Sequence, residues 1–378
     1  MRGLVRNVVV VVTAMLSLGM FTGAAQAAYP NLFWWGPTGL DSAQGGITEN
    51  AIACPSASQC SEIDQAGREL TFNPTSPGQV KPATIDAGGR LNALACASPI
   101  ECTAVGYGGD AVTFNPTAPN GAFRFNVDFG HVLQAVDCPA GNQCTAVSNN
   151  GQAVTFNPAS PGSTTPITVD STNHILSVSC PSVSQCTSVD TTGTEVTFDP
   201  AAGTIISSVA VDSGNVLAAV TCPGTGQCVA VDTSGNVLQF DPSAPGTPTA
   251  TPLDGHPLVG VSCYGAAQCT AVDAFGGEVT FDPGAPAASP VTIDGHRLRG
   301  VACPEQLQCT AIDNGGQVVT FDPTSAGSPA VAQIDTGTAL TGVACPSTAQ
   351  CTAVDFNGQE VTYNPTSSTG AFGLNVST

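Results

Sequence analysis

From about residue 47 onward the apolar positions fall into short runs, each broken by Gly, Pro, Asp or Asn, and the runs come back in the same order. Leu298–Pro323, LRGVACPEQLQCTAIDNGGQVVTFDP, shows the unit together with VTID just before it. Four strands are predicted: VTID at 291–294, LRGVAC at 298–303, CTAID at 309–313 and VVTF at 318–321. All are short, rich in Val, Ile, Thr and Phe, and bounded by residues that supply positive φ or fix φ and remove a donor. No stretch after residue 30 sustains a 3.6-residue apolar period, so the chain reads as all-β.

The unit occurs eight times, marked by C-x5-C pairs that recur every 40 to 42 residues: Cys54/Cys60, Cys96/Cys102, Cys138/Cys144, Cys180/Cys186, Cys222/Cys228, Cys263/Cys269, Cys303/Cys309 and Cys345/Cys351. Seven residues after the second cysteine stands a glycine in every copy, from Gly67 to Gly358. Two residues before the first cysteine the residue is aliphatic, and the one before that is small (Ala51, Ala93, Ala135, Ser177, Ala219, Gly260, Gly300, Gly342). An aromatic closes the VVTF strand each time: Phe72, Phe114, Phe156, Phe198, Phe240, Phe281, Phe321 and Tyr363. Four strands per roughly 42-residue repeat, none able to bury both faces alone, predict an eight-bladed β-propeller of antiparallel four-stranded blades. A parallel β-helix, the rival, has shorter coils. Small residues suit the crowded axis, which would make LRGVAC innermost and build every blade from contiguous sequence. The other phase puts VTID innermost, with the last strand, GAFGLNV at 370–376, completing the first blade.

The run T-F-D-P-x-x-P-G, then D-G-H-x-L-x-x-V (Asp254–Val261, Asp294–Val301), resembles the blades of WD-repeat and quinoprotein-type propellers. The C-P-S-x-x-Q-C-x-A-V-D form is similar to secreted actinobacterial-type repeat proteins of unknown function. The resemblance spans residues 47–378 and implies the propeller fold. The Trp-Asp dipeptide is replaced by Phe-Asp or Phe-Asn, and the tryptophan motifs of true quinoproteins are missing, so no quinone site is implied.

Residues 1–27 have the features of a secretory signal peptide: Arg2 and Arg6, an apolar run from 8 to 21, and Ala25-Gln26-Ala27 as the cleavage site. The run is too short for a stable membrane span. Residues 28–46 are an N-terminal extension and 47–378 the propeller. Export suits sixteen cysteines in identical pairs, which predict eight disulfides, one per blade, each joining the LRGVAC and CTAID strands. Pairs on separate blades, spaced wider than zinc motifs, do not suggest a metal cluster.

Successive turns of a meander alternate between the two faces of the ring. One face collects the proline-rich loops. The other gathers Asp86, Asp128, Asp170, Asp212, Asp254, Asp294 and Asp335 with Asp64, Asp190, Asp232, Asp273, Asp313 and Asp355. Six of the eight basic residues and all 28 acids lie beyond the leader, a formal charge of −22. An acidic face disfavours nucleic acid and anionic membrane and allows a cation. Asp in such turns ordinarily bonds its own backbone, and no turn here holds the oxygen-rich run of a calcium loop. No cofactor is expected; Ca²⁺ is the one candidate. The histidines also fall on this face. His256 and His296, on neighbouring blades, with Asp254 and Asp294, form a candidate metal cluster, and His131 shares their register. Trp34 and Trp35, the two tryptophans, are either a binding platform or a plug over one mouth.

No nucleophile elbow, H-E-x-x-H or phosphate-cradling loop is present, so no catalytic residue is named. The expectation is a monomeric, secreted binding or structural module whose partner is an extracellular protein or glycan. The alternative is an extracellular lyase or hydrolase with a metal-assisted site in the axial funnel. A true site should break the repeat at one place, whereas a scaffold should show the same residues in every blade.

Overall fold

The computed structural model describes residues 6–11, 19–24, 38–39, 49–74, 82–162, 164–171, 173–253, 255–285, 288–327, 329–334, 337–355 and 359–365. Eight antiparallel sheets follow one another around an axis. In the seventh blade the strands are Leu298–Glu305, Gln308–Asp313, Gln317–Phe321 and Ala330–Gln333, paired in chain order. VTID, represented by Val291–Thr292, is the outer strand of the sixth blade.

The LRGVAC-type strands are innermost. Each abuts its counterpart in the next blade, and Leu340–Ser347 of the eighth returns to Glu49–Ser56 of the first, closing the ring. Their pairing slips by one residue just before the small position, as between Leu298 and Gly300, a bulge that tightens the local twist where backbones converge. The fourth strand of the eighth sheet is Thr38–Gly39, which pairs with Gln359 and Glu360. The described strands of that blade are therefore not all contiguous, unlike the expected plan; GAFGLNV lies outside the described residues. Two stretches of the predicted leader, Arg6–Val11 and Gly19–Ala24, pair with each other, and Val9–Val11 pair with Gly260–Ser262 on the inner edge of the sixth blade.

The core lies between blades. One cluster joins Ala93, Val105 and Ala111 of the second blade to Val136, Cys138 and Phe156 of the third. Another joins Val343 and Tyr363 of the eighth to Ile52, Leu70 and Phe72 of the first. All eight third-strand aromatics are buried. The disulfides have the expected pairing: Cys54–Cys60, Cys96–Cys102, Cys138–Cys144, Cys180–Cys186, Cys222–Cys228, Cys263–Cys269, Cys303–Cys309 and Cys345–Cys351. The second cysteine of every pair is buried: Cys60, Cys102, Cys144, Cys186, Cys228, Cys269, Cys309 and Cys351. It stands at the start of a strand that lies between two others, and the neighbouring blade packs over it.

Polar links run in the same direction around the ring. The Gln of C-P-x-x-x-Q-C reaches over to a backbone carbonyl of the following blade: Gln59 to Pro99 (2.6 Å), Gln143 to Val183 (2.7 Å), Gln185 to Thr225, Gln268 to Gln306 and Gln308 to Thr348 (each 2.8 Å). A threonine hydroxyl donates to the second cysteine's sulfur in the next blade: Thr103 to Cys144, Thr187 to Cys228, Thr270 to Cys309 and Thr310 to Cys351. Asp137, Ser179 and Ser262 accept the backbone N–H of the next blade's first cysteine. Buried polar groups at a packed interface need partners, and the repeat supplies them from next door.

Candidate functional site

On the face that gathers the aspartates, the second-to-third strand turn is organised by its own carboxylate wherever the repeat has Asp there. Asp190 Oδ1 accepts the N–H groups of Thr192 and Thr194; Asp232 serves Ser234 and Asn236, Asp273 serves Phe275 and Gly277, Asp313 serves Gly315 and Gln317. This is the turn chemistry the sequence led us to expect. The expected open acidic surface is different. These carboxylates, and those of Asp86, Asp128, Asp212 and Asp294 in the turns that cross between blades, are buried. Burial raises the Asp64, Asp86, Asp190 and Asp212 carboxyls above the usual range, with a neighbouring aspartate adding to the effect at Asp190 and Asp212. The acids shape turns more than they present charge.

The cysteines contribute no chemistry of their own to a site. Cys102, Cys144, Cys228, Cys269 and Cys309 are each at most 1% exposed, and every described cysteine is tied in a disulfide. A buried disulfide sulfur is neither a nucleophile nor a metal ligand, so these positions are crosslinks and not ligand contacts.

The histidines sit over the aspartate turns, half exposed. His131 Nδ1 is 2.8 Å from Asp128 Oδ1. His256 Nδ1 is 3.2 Å from Asp273 Oδ2, and its ring lies 4.7 Å from that of Phe275. His296 Nδ1 is 3.3 Å from Asp294 Oδ1 and 3.2 Å from Asp313 Oδ2. Among the described residues the potential ligand group is Asp294, His296 and Asp313. The donors converge where the turn from the sixth blade meets the hairpin of the seventh; His256 is not among them, and Asp254, Trp34 and Trp35 lie outside the described residues. Asp313 was legible as a partner: it follows His296 by 17 residues, as Asp273 follows His256. Burial pushes the Asp313 carboxyl up to about 6, with the nearby Asp294 charge in the same direction. The Asp294 hydrogen bond and then the charges of both carboxylates raise the His296 pKa.

The second blade departs most from the repeat. Its turn aspartate is replaced by Gly106, followed by Tyr107-Gly108-Gly109, a single 3₁₀ turn. Arg90 lies over the Tyr107 ring at 5.3 Å and donates to Gln65. Arg124 bridges Asp86, at 3.0 Å, and Asp110. Phe129, in the crossing turn that follows, is 88% exposed.

On the opposite, proline-rich face the same blade has Glu101 in place of the usual Gln, and a carboxylate cannot donate to the next blade's carbonyl. Between the second and third blades an open groove of about 310 Å³ is lined by Ile100, Glu101, Phe114, Asn115, Phe123 and Pro158, among others. Ile100 and Phe123 are mostly exposed, and Phe123 is stacked on Phe125, which packs edge-on against Phe156. Partial burial raises the Glu101 pKa. Sequence reasoning had not singled out these residues; the signal was the break in the repeat.

No family model matches this chain, and no curated protein matches it. Solved structures do. A computationally designed protein, Ika8, superposes with a TM-score of 0.70 at 12% identity, covering 86% of this chain and 98% of its own. BamB from Moraxella catarrhalis superposes with a TM-score of 0.66 at 15% identity, covering 89% of this chain and 98% of its own. At such identities the likeness is one of fold.

Proposed function

We propose that this chain is an exported, disulfide-held propeller that binds another protein through the groove between its second and third blades. The observation that carries the reading is that Glu101, which breaks the repeat's Gln, meets the exposed Ile100 and Phe123 in one groove. A scaffold has no need of exposed Ile and Phe beside a carboxylate; a recognition site gains from apolar anchors near one charge. The partner favoured is an extended segment with an aliphatic side chain next to Lys or Arg. The basic residue faces Glu101 and is drawn by the strongly negative chain. The leader reading supports export, and cleavage after Ala27 would leave Ala28 as the first residue of the released protein. Eight disulfides in an exported chain fit an oxidising compartment.

A displayed library of random peptides, selected on oxidised protein lacking residues 1–27, tests this. Enrichment of aliphatic–basic sequences is expected, with loss of binding for Phe123→Glu and for Glu101→Lys. Enriched peptides that bind both variants as well as the parent would place recognition elsewhere. Selection of glycans from an array, with no peptide enrichment, would favour a sugar-binding module instead.

A further inference from the structure

The geometry points to a binding site for a first-row divalent metal ion, zinc foremost, formed by Asp294, His296 and Asp313 where the chain crosses from the sixth blade to the seventh. The three side chains offer one donor atom each within 4.8 Å of one another. His296 Nδ1 stands 3.3 and 3.2 Å from the two carboxylate oxygens. Metal–ligand bonds of about 2.0–2.2 Å in tetrahedral geometry place neighbouring donors roughly 3.4 Å apart, so an ion can be seated with small movements. This inference does not depend on the groove.

Among the described residues the cluster differs from the other aspartate turns in bringing one imidazole against two carboxylates. Both carboxylates are buried; Asp294 Oδ2 has no hydrogen-bond partner, and Asp313 Oδ2 faces His296 Nδ1 at 3.2 Å. Two buried carboxylates side by side repel, and a divalent cation neutralises both where one imidazolium offsets a single charge. Backbone N–H groups fix both carboxylates: those of Gly315 and Gln317 donate to Asp313 Oδ1, and that of Gly295 donates to Asp294 Oδ1, the oxygen that also faces His296. Such outer hydrogen bonds orient first ligands.

Access is from solvent, on the half-exposed His296 side. Gly315 keeps it open: a Cβ there would stand 3.1 Å from Asp313 Oδ2 and 3.4 Å from His296 Cδ2. The equivalent residue of the sixth blade is Phe275, whose ring covers His256. An imidazole with two carboxylates, and room for water, suits zinc and its first-row neighbours, whereas Ca²⁺ takes six to eight oxygens. The sequence repeats the set in the sixth blade as Asp254, His256 and Asp273, whereas the third blade has Asp128 and His131 but Ser148 in the last position. The third blade is thus a built-in control.

The test is isothermal titration of the oxidised chain lacking residues 1–27 with ZnCl₂ at about pH 7.5, with CaCl₂ as comparison. The absorption spectrum of the Co²⁺-loaded protein is read alongside. Zinc should bind in the micromolar range or tighter and Ca²⁺ far more weakly. His296→Gln, an exposed substitution that should leave the fold intact, should weaken a site at least tenfold and reduce the visible Co²⁺ bands. Asp294→Asn should do the same, and His131→Gln should change nothing. Failure to bind zinc at about 100 µM overturns the proposal, as does binding that His296→Gln leaves unaltered or that His131→Gln lowers equally. Should Asp294→Asn not fold, the His296→Gln result decides.

Discussion

At the scale of the residue, the uniform glycine of each repeat has a double cause. Gly151 and Gly193 have φ of 79° and 89°, the region that favours glycine. A Cβ would also fall 1.5 Å from the carbonyl oxygen of Asp170 at the first and 1.7 Å from that of Asp212 at the second. The crossing chain presses onto this glycine because its carbonyl accepts two N–H groups, those of Val169 and Asp170 in the case of Gly151. Gly151→Ala is therefore expected to destabilise by about 2–4 kcal/mol, measurable as a lower urea midpoint. An alanine at Gly295, where φ is not positive and nothing stands within 4 Å of the added carbon, should cost much less. Gln185→Ala removes a single link to the next blade and should cost about 1 kcal/mol.

At the scale of the element, the third strand carries a buried acid in four blades. Glu69, Glu195, Glu278 and Glu360 occupy one register, where Ala111, Ala153, Val237 and Val318 stand in the others. A threonine two residues on donates to each: Thr71, Thr197, Thr280 and Thr362. Burial nonetheless pushes each glutamate from 4.5 to about 7. A raised acid pKa means that the folded chain holds protons that the unfolded chain releases. The contribution is complete below about pH 4.5, falls as pH rises, and is gone above about pH 7, at up to roughly 3 kcal/mol per group. Melting temperature should therefore be higher at pH 5.5 than at pH 8. Glu195→Gln should flatten this slope; a melting temperature that rises toward pH 8 would show that these acids are ionised in the fold.

At the scale of the whole molecule, eight near-identical blades are joined side to side, and each also carries its own crosslink. A loop of this size contributes about 2 kcal/mol in the unfolded-state entropy account. Eight such terms exceed the 5–15 kcal/mol of net stability usual for a folded protein. Full reduction under native conditions is expected to unfold the ring, seen as loss of the β-sheet circular dichroism signal, rather than merely to lower its melting temperature. Replacing only the Cys180–Cys186 pair by serines should leave a folded ring of lower stability, because the flanking interfaces remain.

Repeat periodicity, the order of strands within the unit, the disulfide pairs and the turn aspartates were all determined by the sequence, because each follows from local spacing. Strand alternation, the loop closed by C-x5-C and the need for glycine at positive φ act over a few residues. The innermost strand could be argued from Ala51, Ala93 and their counterparts, since crowding is the one long-range property that residue size reports. Other features depended on neighbours about 40 residues away. Gln59, Gln143 and Gln185 looked like loop residues until the next blade was placed against them. The threonine that reaches each of Cys144, Cys228 and Cys309 belongs to the preceding blade, so the pairing was legible and the packing around it was not. Thr38–Gly39 joined the last sheet only through ring closure. The aspartates, taken one at a time, read as an exposed acidic face, and stacking of blades buries them. His296 was expected to look across to His256, yet the crossing turn sets it over the hairpin of the seventh blade, beside Asp313. Local chemistry selects the unit, and the angle at which units pack decides which side chains meet.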